Sequence, residues 1–116
     1  MPMLDIIVTH YDEDWQVGEK FFTMLDLQRG IDFSQIHVIL VNDGKQYELP
    51  QDHFIGRPYS VEQISIEHGG ISAARNAGLK QSTSKWVCFC DFDDMYAGVY
   101  SLRNVLHVLP TDDYDM

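Results

Sequence analysis

Three short apolar runs do most to limit what this chain can become: LDIIVTHY (residues 4–11), IHVILVNDG (36–44) and KWVCFCDFDD (85–94). Each is too short for a core helix, carries β-branched or aromatic residues, and ends in polar groups. A run that is apolar on both faces is the mark of a strand in a parallel sheet, where helices cover both sides. A fourth, weaker strand is expected in VEQISIEHGG (61–70), where Val61, Ile64 and Ile66 alternate imperfectly.

Helix-prone segments separate these runs. Over 12–28, Trp15, Phe22 and Leu25 recur at helical spacing. Asp12 or Asp14 is the expected cap, acids are expected to fill the first turn, and Gly30 is the expected stop. ISAARNAGLKQS (71–82) reads as a helix with Ser72 as cap, and Leu102, Val105, Leu106 and Leu109 mark another over 101–109. The stretch 45–60, with Pro50, Gly56 and Pro58, reads as irregular. Strands alternating with helices predict an α/β domain with a mostly parallel sheet and right-handed crossovers. The 116 residues suit one domain, able to bury roughly two thirds of its unfolded surface.

Composition narrows the partners. A hydrophobic fraction of 45% excludes a disordered chain. The net charge of −10, with eight scattered Lys and Arg, argues against nucleic acid, whose binding depends on clustered cations. An acidic chain can still take a phosphorylated small molecule through a divalent cation. With no transmembrane run and no signal peptide, a cytoplasmic setting is expected, including the periphery of the inner membrane face. Cys88 and Cys90 fall on one face of a strand, too far apart for an undistorted disulfide, and are expected to be core thiols.

In open α/β sheets, ligands sit at the carboxyl ends of the strands. Those ends carry Thr9-His10-Tyr11-Asp12, Asn42-Asp43-Gly44 and Asp91-Phe92-Asp93-Asp94. Polar strand ends are individually unremarkable because they reach solvent; three on one edge suggest a site. Asp91 and Asp93 project the same way if the strand continues. At about 6 Å and an effective dielectric near 20 they repel by roughly 3 kcal/mol. A hard divalent cation, Mn2+ or Mg2+, relieves that repulsion, and Mg2+ is commonly held by one or two carboxylates plus phosphates. An exposed acidic turn is the alternative. Gly69 and Gly70 permit a tight turn into a helix whose N-terminus attracts anions. Arg75 is the long cation on that otherwise slim helix; it either pairs with a surface acid or contacts a diphosphate or the carboxylates.

IIVTHYDED, VILVNDG, GGISAARNAGL and WVCFCDFDD, in this order, resemble the nucleotide-sugar-binding half of family 2 glycosyltransferases. The resemblance implies a Rossmann-like GT-A fold, truncated here, as one nucleotide-sugar-binding domain over 1–116. It implies that Thr9 and Tyr11 line the nucleobase pocket, that Asp43 hydrogen-bonds a base, usually uracil, and that Arg75 lies near base and phosphates. Asp91 would approach the ribose and Asp93 the metal, with Asp94 a second metal contact. The donor would be a UDP-sugar, and the acceptor hydroxyl would belong to a glycan or lipid. Three departures bear on base preference and the pocket floor: Asp12 stands where the family commonly has Asn, Lys45 where it often has Ser or Thr, and the 45–60 stretch where it usually has a helix.

Family members continue well past the D-x-D strand, and the later half supplies the acceptor site and the carboxylate general base. That base is expected to lie outside this chain, so donor binding is expected without efficient transfer. A non-catalytic binding module is therefore the main alternative, and donor hydrolysis or transfer by the chain alone would exclude it. A haloacid dehalogenase-like phosphohydrolase also uses a strand followed by D-x-D, but needs a downstream Lys, and no Lys follows Asp94. A phosphoryl-receiver domain fails on the same ground, having no Lys beyond Lys85. A sheet this short leaves apolar edge uncovered, so a homo-oligomer is expected.

Overall fold

A computed structural model describes residues 4–29 and 31–92. The order is β1 (Leu4–His10), α1 (Trp15–Asp26), β2 (Ile36–Asp43), β3 (Ser60–Ile66), α2 (Ile71–Gln81) and β4 (Trp86–Asp91). The four strands form one sheet in the order β3-β2-β1-β4 with every pairing parallel, as the apolar runs predict. β1 and β2 are central and almost wholly buried, so they lack the alternation of a half-exposed strand. The 45–60 stretch holds only two short 3-10 turns, Lys45–Tyr47 and Gln51–His53.

The sheet has two apolar faces. Leu4, Ile6 and Val8 of β1 point to one, with Val38 and Leu40 of β2, and pack with Phe21, Phe22 and Leu25 of α1. Ile7 points to the other, with Ile39 and Val41, under Ala74 of α2. Fully burying a side chain such as Phe22 contributes about 1.5–3 kcal/mol. Both helices approach closely where they lack a side chain. A Cβ on Gly78 would stand 2.4 Å from Cγ2 of Ile7. One on Gly18 would stand 2.0 Å from Cζ of Phe92.

Helix ends differ from the sequence expectation. α1 starts at Trp15 with no acid in its first turn, and Asp14 occupies the cap position without a side-chain cap bond. The Glu13 carboxylate instead turns back to accept from the Tyr11 N–H at 2.9 Å. The helix ends at Asp26, where the Leu27 N–H reaches the carbonyl of Thr23, short of Gly30. Ser72 is inside α2; the cap position belongs to Gly70, whose φ of +93° suits glycine. Cys90 is buried and Cys88 half-buried, both as thiols with their sulfurs 4.0 Å apart. The helix expected over 101–109 and the residues Asp93 and Asp94 lie outside the described residues.

Asp5 is fully buried at the amino end of β1. Its carboxylate accepts four hydrogen bonds from the chain leaving α2: from the hydroxyls of Ser82 (2.6 Å) and Ser84 (2.5 Å) and the N–H groups of Thr83 (3.0 Å) and Ser84 (3.1 Å). A buried carboxylate is tolerable when its lone pairs are filled this way.

Candidate functional site

All four strands run the same way, so their carboxyl ends share one rim. Register fixes the neighbours: Thr9 pairs with Val41 on one side and Asp91 on the other, and His10 pairs with Asn42. Against this rim lies a cleft of about 360 Å³, lined by Thr9, His10, Tyr11, Asp43, His68 and the start of α2 at Gly70, Ile71 and Ala74.

Asp43 ends β2 with its carboxylate nearly buried. Its oxygens accept from the N–H of Gly69 (2.8 Å), the N–H of Gly70 (3.1 Å) and Nδ1 of His68 (3.0 Å). The expected base ligand thus also fastens the turn that opens α2. Tyr11 leaves β1 as a 43%-exposed ring, stacked on His68 with centroids 4.6 Å apart and planes 27° apart. Tyr47 meets the same ring in a T-shaped contact at 5.1 Å. Partial burial, with Asp12 and Tyr11 nearby, pushes the Tyr47 hydroxyl above its ordinary value, so it stays neutral at working pH.

From His10, which lines the cleft, a hydrogen-bonded chain crosses three strands. Gln63 of β3 accepts from the Leu49 N–H (2.8 Å) and donates to the Leu49 carbonyl (2.9 Å), which fixes its amide orientation. Asn42 donates to Gln63 Oε1 (2.8 Å) and to the Ser65 hydroxyl (3.1 Å), so its own oxygen faces His10 Nδ1 at 2.8 Å. His10 Nε2 lies 2.8 Å from the Glu13 carbonyl oxygen. Both nitrogens of this ring, only 2% exposed, therefore face oxygen acceptors. Phe92 lies 4.2 Å from His10 between ring centroids, and its N–H donates to the Thr9 carbonyl at 3.0 Å. The residue between Asp91 and Asp93 thus turns into the core.

Of the expected site residues, Thr9, Tyr11 and Asp43 line the cleft together. The backbone of Asp91 sits beside Thr9 by register. Arg75 is on α2 one turn past Ile71, but its guanidinium stands over the Phe89 ring of β4 at 5.6 Å rather than lining the cleft. Among the described residues, no three His, Cys, Asp or Glu side chains are grouped as metal ligands. No helix among them is long and apolar enough to cross a membrane. Sequence reasoning gave no role to His10, Asn42, Glu13, Tyr47 or His68. A histidine and an asparagine at paired positions of central strands were the available signal.

A parallel α/β sheet with its cleft at the carboxyl rim and a Gly-Gly turn into α2 is the arrangement in which open α/β folds take ligands. Residues 5–116 match the family described as Glycosyl transferase family 2, and the chain belongs to that family. It is 32% identical over 97 residues to the uncharacterized glycosyltransferase EpsJ of Bacillus subtilis strain 168, covering 81% of this chain and 27% of that protein. Among solved structures it superposes on S. aureus TarS 1–349 in complex with UDP (TM-score 0.72, 20% identity, 92% of this chain and 31% of that one). It also superposes on the mannosyltransferase PcManGT from Pyrobaculum calidifontis in complex with GDP-Man and Mn2+ (TM-score 0.72, 18% identity, 90% and 31%). These likenesses establish the GT-A fold over part of its length. The chain spans about a third or less of each of these proteins.

Proposed function

We propose that residues 1–116 form a nucleotide-sugar-binding domain that takes a UDP-sugar, with transfer of the sugar to an acceptor hydroxyl of a glycan or lipid in polysaccharide or glycoconjugate synthesis. The observation that carries the reading is the meeting of Thr9, Tyr11 and Asp43 in one cleft on the carboxyl rim of a family 2 glycosyltransferase sheet. Tyr11 offers an aromatic face for a base, and Asp43 offers carboxylate oxygens to its N–H groups. Arg75, on the helix that walls the cleft, would approach a diphosphate; Asp91 would take the ribose side.

Asp93 and Asp94 would hold a divalent cation, Mn2+ or Mg2+. What supports this is that β4 ends beside Thr9, with Phe92 buried just after it, and that Asp93 and Asp94 follow next in the sequence. A carboxylate oxygen set matches the preference of either cation. When bound, such a cation neutralises charge on the diphosphate. The residues on the described rim bind and orient the base end.

A thermal-shift titration with UDP, GDP, CDP and ADP, with and without Mn2+, tests the proposal on wild type and Asp93→Ala. UDP with Mn2+ is expected to stabilise wild type, by about 2.7 kcal/mol at a hundredfold excess over Kd, and the substitution to abolish the metal-dependent part. No shift with any nucleoside diphosphate refutes the reading.

A further inference from the structure

We propose that His68 fills the base subsite of the free protein and is displaced when a nucleobase binds; this rests on the donor-site reading above. The imidazole makes both contacts that the reading gives to a base. It stacks on Tyr11 at 4.6 Å, and its Nδ1–H donates to Asp43 Oδ2 at 3.0 Å. Tyr47 already meets Tyr11 from another direction. A base that stacks on Tyr11 and bonds Asp43 therefore competes with His68 for the same two groups.

The imidazole is the partner free to leave. Its side chain is 55% exposed, whereas the Asp43 carboxylate is 7% exposed and stays fastened by the N–H groups of Gly69 and Gly70. Displacement needs only rotation about the side-chain bonds of His68, because the N–H groups of Gly69 and Gly70 stay on Asp43. Asp43 and Tyr11 are thus held ready, with a replaceable ring between them.

The same geometry states what the displacing ring must carry: a flat face for Tyr11 and a ring N–H for the carboxylate. Uracil, thymine and guanine have such an N–H. Cytosine and adenine present a lone pair at the corresponding ring nitrogen, which a carboxylate repels. His68 imposes a displacement cost on every base, and Asp43 decides which bases can meet it.

The test is isothermal titration of the full chain with UDP and with CDP in the presence of Mn2+, for wild type and His68→Ala. Removing an internal competitor raises apparent affinity by the inverse of the fraction of protein that was competent. UDP is expected to bind His68→Ala about three- to tenfold more tightly, with preference for UDP over CDP retained. In parallel, the His68 ring-proton resonance in the free chain should show a ring-current shift from Tyr11 that disappears on saturation with UDP. Equal or weaker UDP binding by His68→Ala overturns the displacement alone, as does a His68 resonance unmoved by bound UDP. Absence of UDP binding by both proteins overturns the donor reading and this inference with it.

Discussion

Gly18→Ala tests how the acidic exit of β4 is held. A Cβ at position 18 would lie 2.0, 2.2 and 2.5 Å from Cζ, Cε2 and Cε1 of Phe92, where ordinary carbon contacts are about 3.5–4 Å. The ring has little room to retreat. It is fully buried, its centroid lies 4.2 Å from that of His10, 6.3 Å from Trp15 and 6.4 Å from Phe22, and its own N–H is tied to Thr9. Overpacking of this kind costs about 1–3 kcal/mol. Alanine returns up to about 1 kcal/mol through helix propensity. A net loss of about 1–2 kcal/mol is expected, a Tm lower by roughly 4–8 °C per kcal/mol for a domain this size. The assay is urea unfolding in a double-mutant cycle with Phe92→Leu. Once the ring is shortened, Gly18→Ala should turn neutral or stabilising. An equal loss in both backgrounds refutes the contact as the cause. Because Phe92 is flanked by Asp91 and Asp93, Gly18→Ala should also weaken the Mn2+-dependent part of the UDP thermal shift.

Asp5 gives a pH-dependent test. Burial raises its proton affinity, but the hydrogen bonds from Ser82, Ser84 and Thr83 outweigh this and hold the carboxyl below its usual range. As pH falls, the unfolded chain takes the proton first, so Asp5's contribution is complete above about pH 4 and drains away as pH drops through the native value. Asp5→Asn should cost about 2–3 kcal/mol at pH 7 and flatten the acid limb of the stability curve; superimposable acid limbs would rule this out. Gln63→Leu strips partners from Leu49 and Asn42 and should cost about 1–3 kcal/mol, with faster amide exchange at Leu49; unchanged exchange there would contradict the network. Self-association is expected, because β3 and β4 are the edges of the described sheet and Phe89 of β4 is 41% exposed. Light scattering that finds only monomer at micromolar concentration would refute it.

The strands were legible because burial on both faces writes an unbroken apolar run, and parallel pairing follows from the helices between. The helix ends were not, because they are set by partners distant in sequence or by backbone conformation. Asp14 caps nothing, Glu13 folds back on Tyr11, and Gly70 begins α2 because its φ is positive and its N–H meets Asp43, 27 residues earlier. The family pattern named Thr9, Tyr11 and Asp43, and those three do share a cleft. It did not reveal that Asp43 is also a fastening for the chain, or that Arg75 rests on Phe89. Nor did anything local mark His10, whose role depends on Asn42, 32 residues away. Asp5 looked like a blemish in an apolar strand; its partners lie 77 to 79 residues on.

Taken together, Asp5 and Asp43 explain why α2 is a fixed wall of the cleft. Asp5, from β1, grips the chain where it leaves the helix, and Asp43, from β2, grips the turn where it enters. Between them Gly78 lets the helix settle against Ile7. A helix fastened at both ends and seated on a central strand cannot slide to fit a ligand without breaking buried, charge-assisted hydrogen bonds. Adaptation is then left to side chains on the rim, the His68 and Tyr11 rings. Hydrogen exchange should separate the two groups. The amides of Thr83 and Ser84, held by Asp5, should be protected well beyond the 67–68 segment, and UDP should change protection at 67–68 while leaving 83–84 as it was. If UDP instead altered Thr83 and Ser84, α2 would be moving, and the division between a rigid helix and an adjustable rim would be wrong.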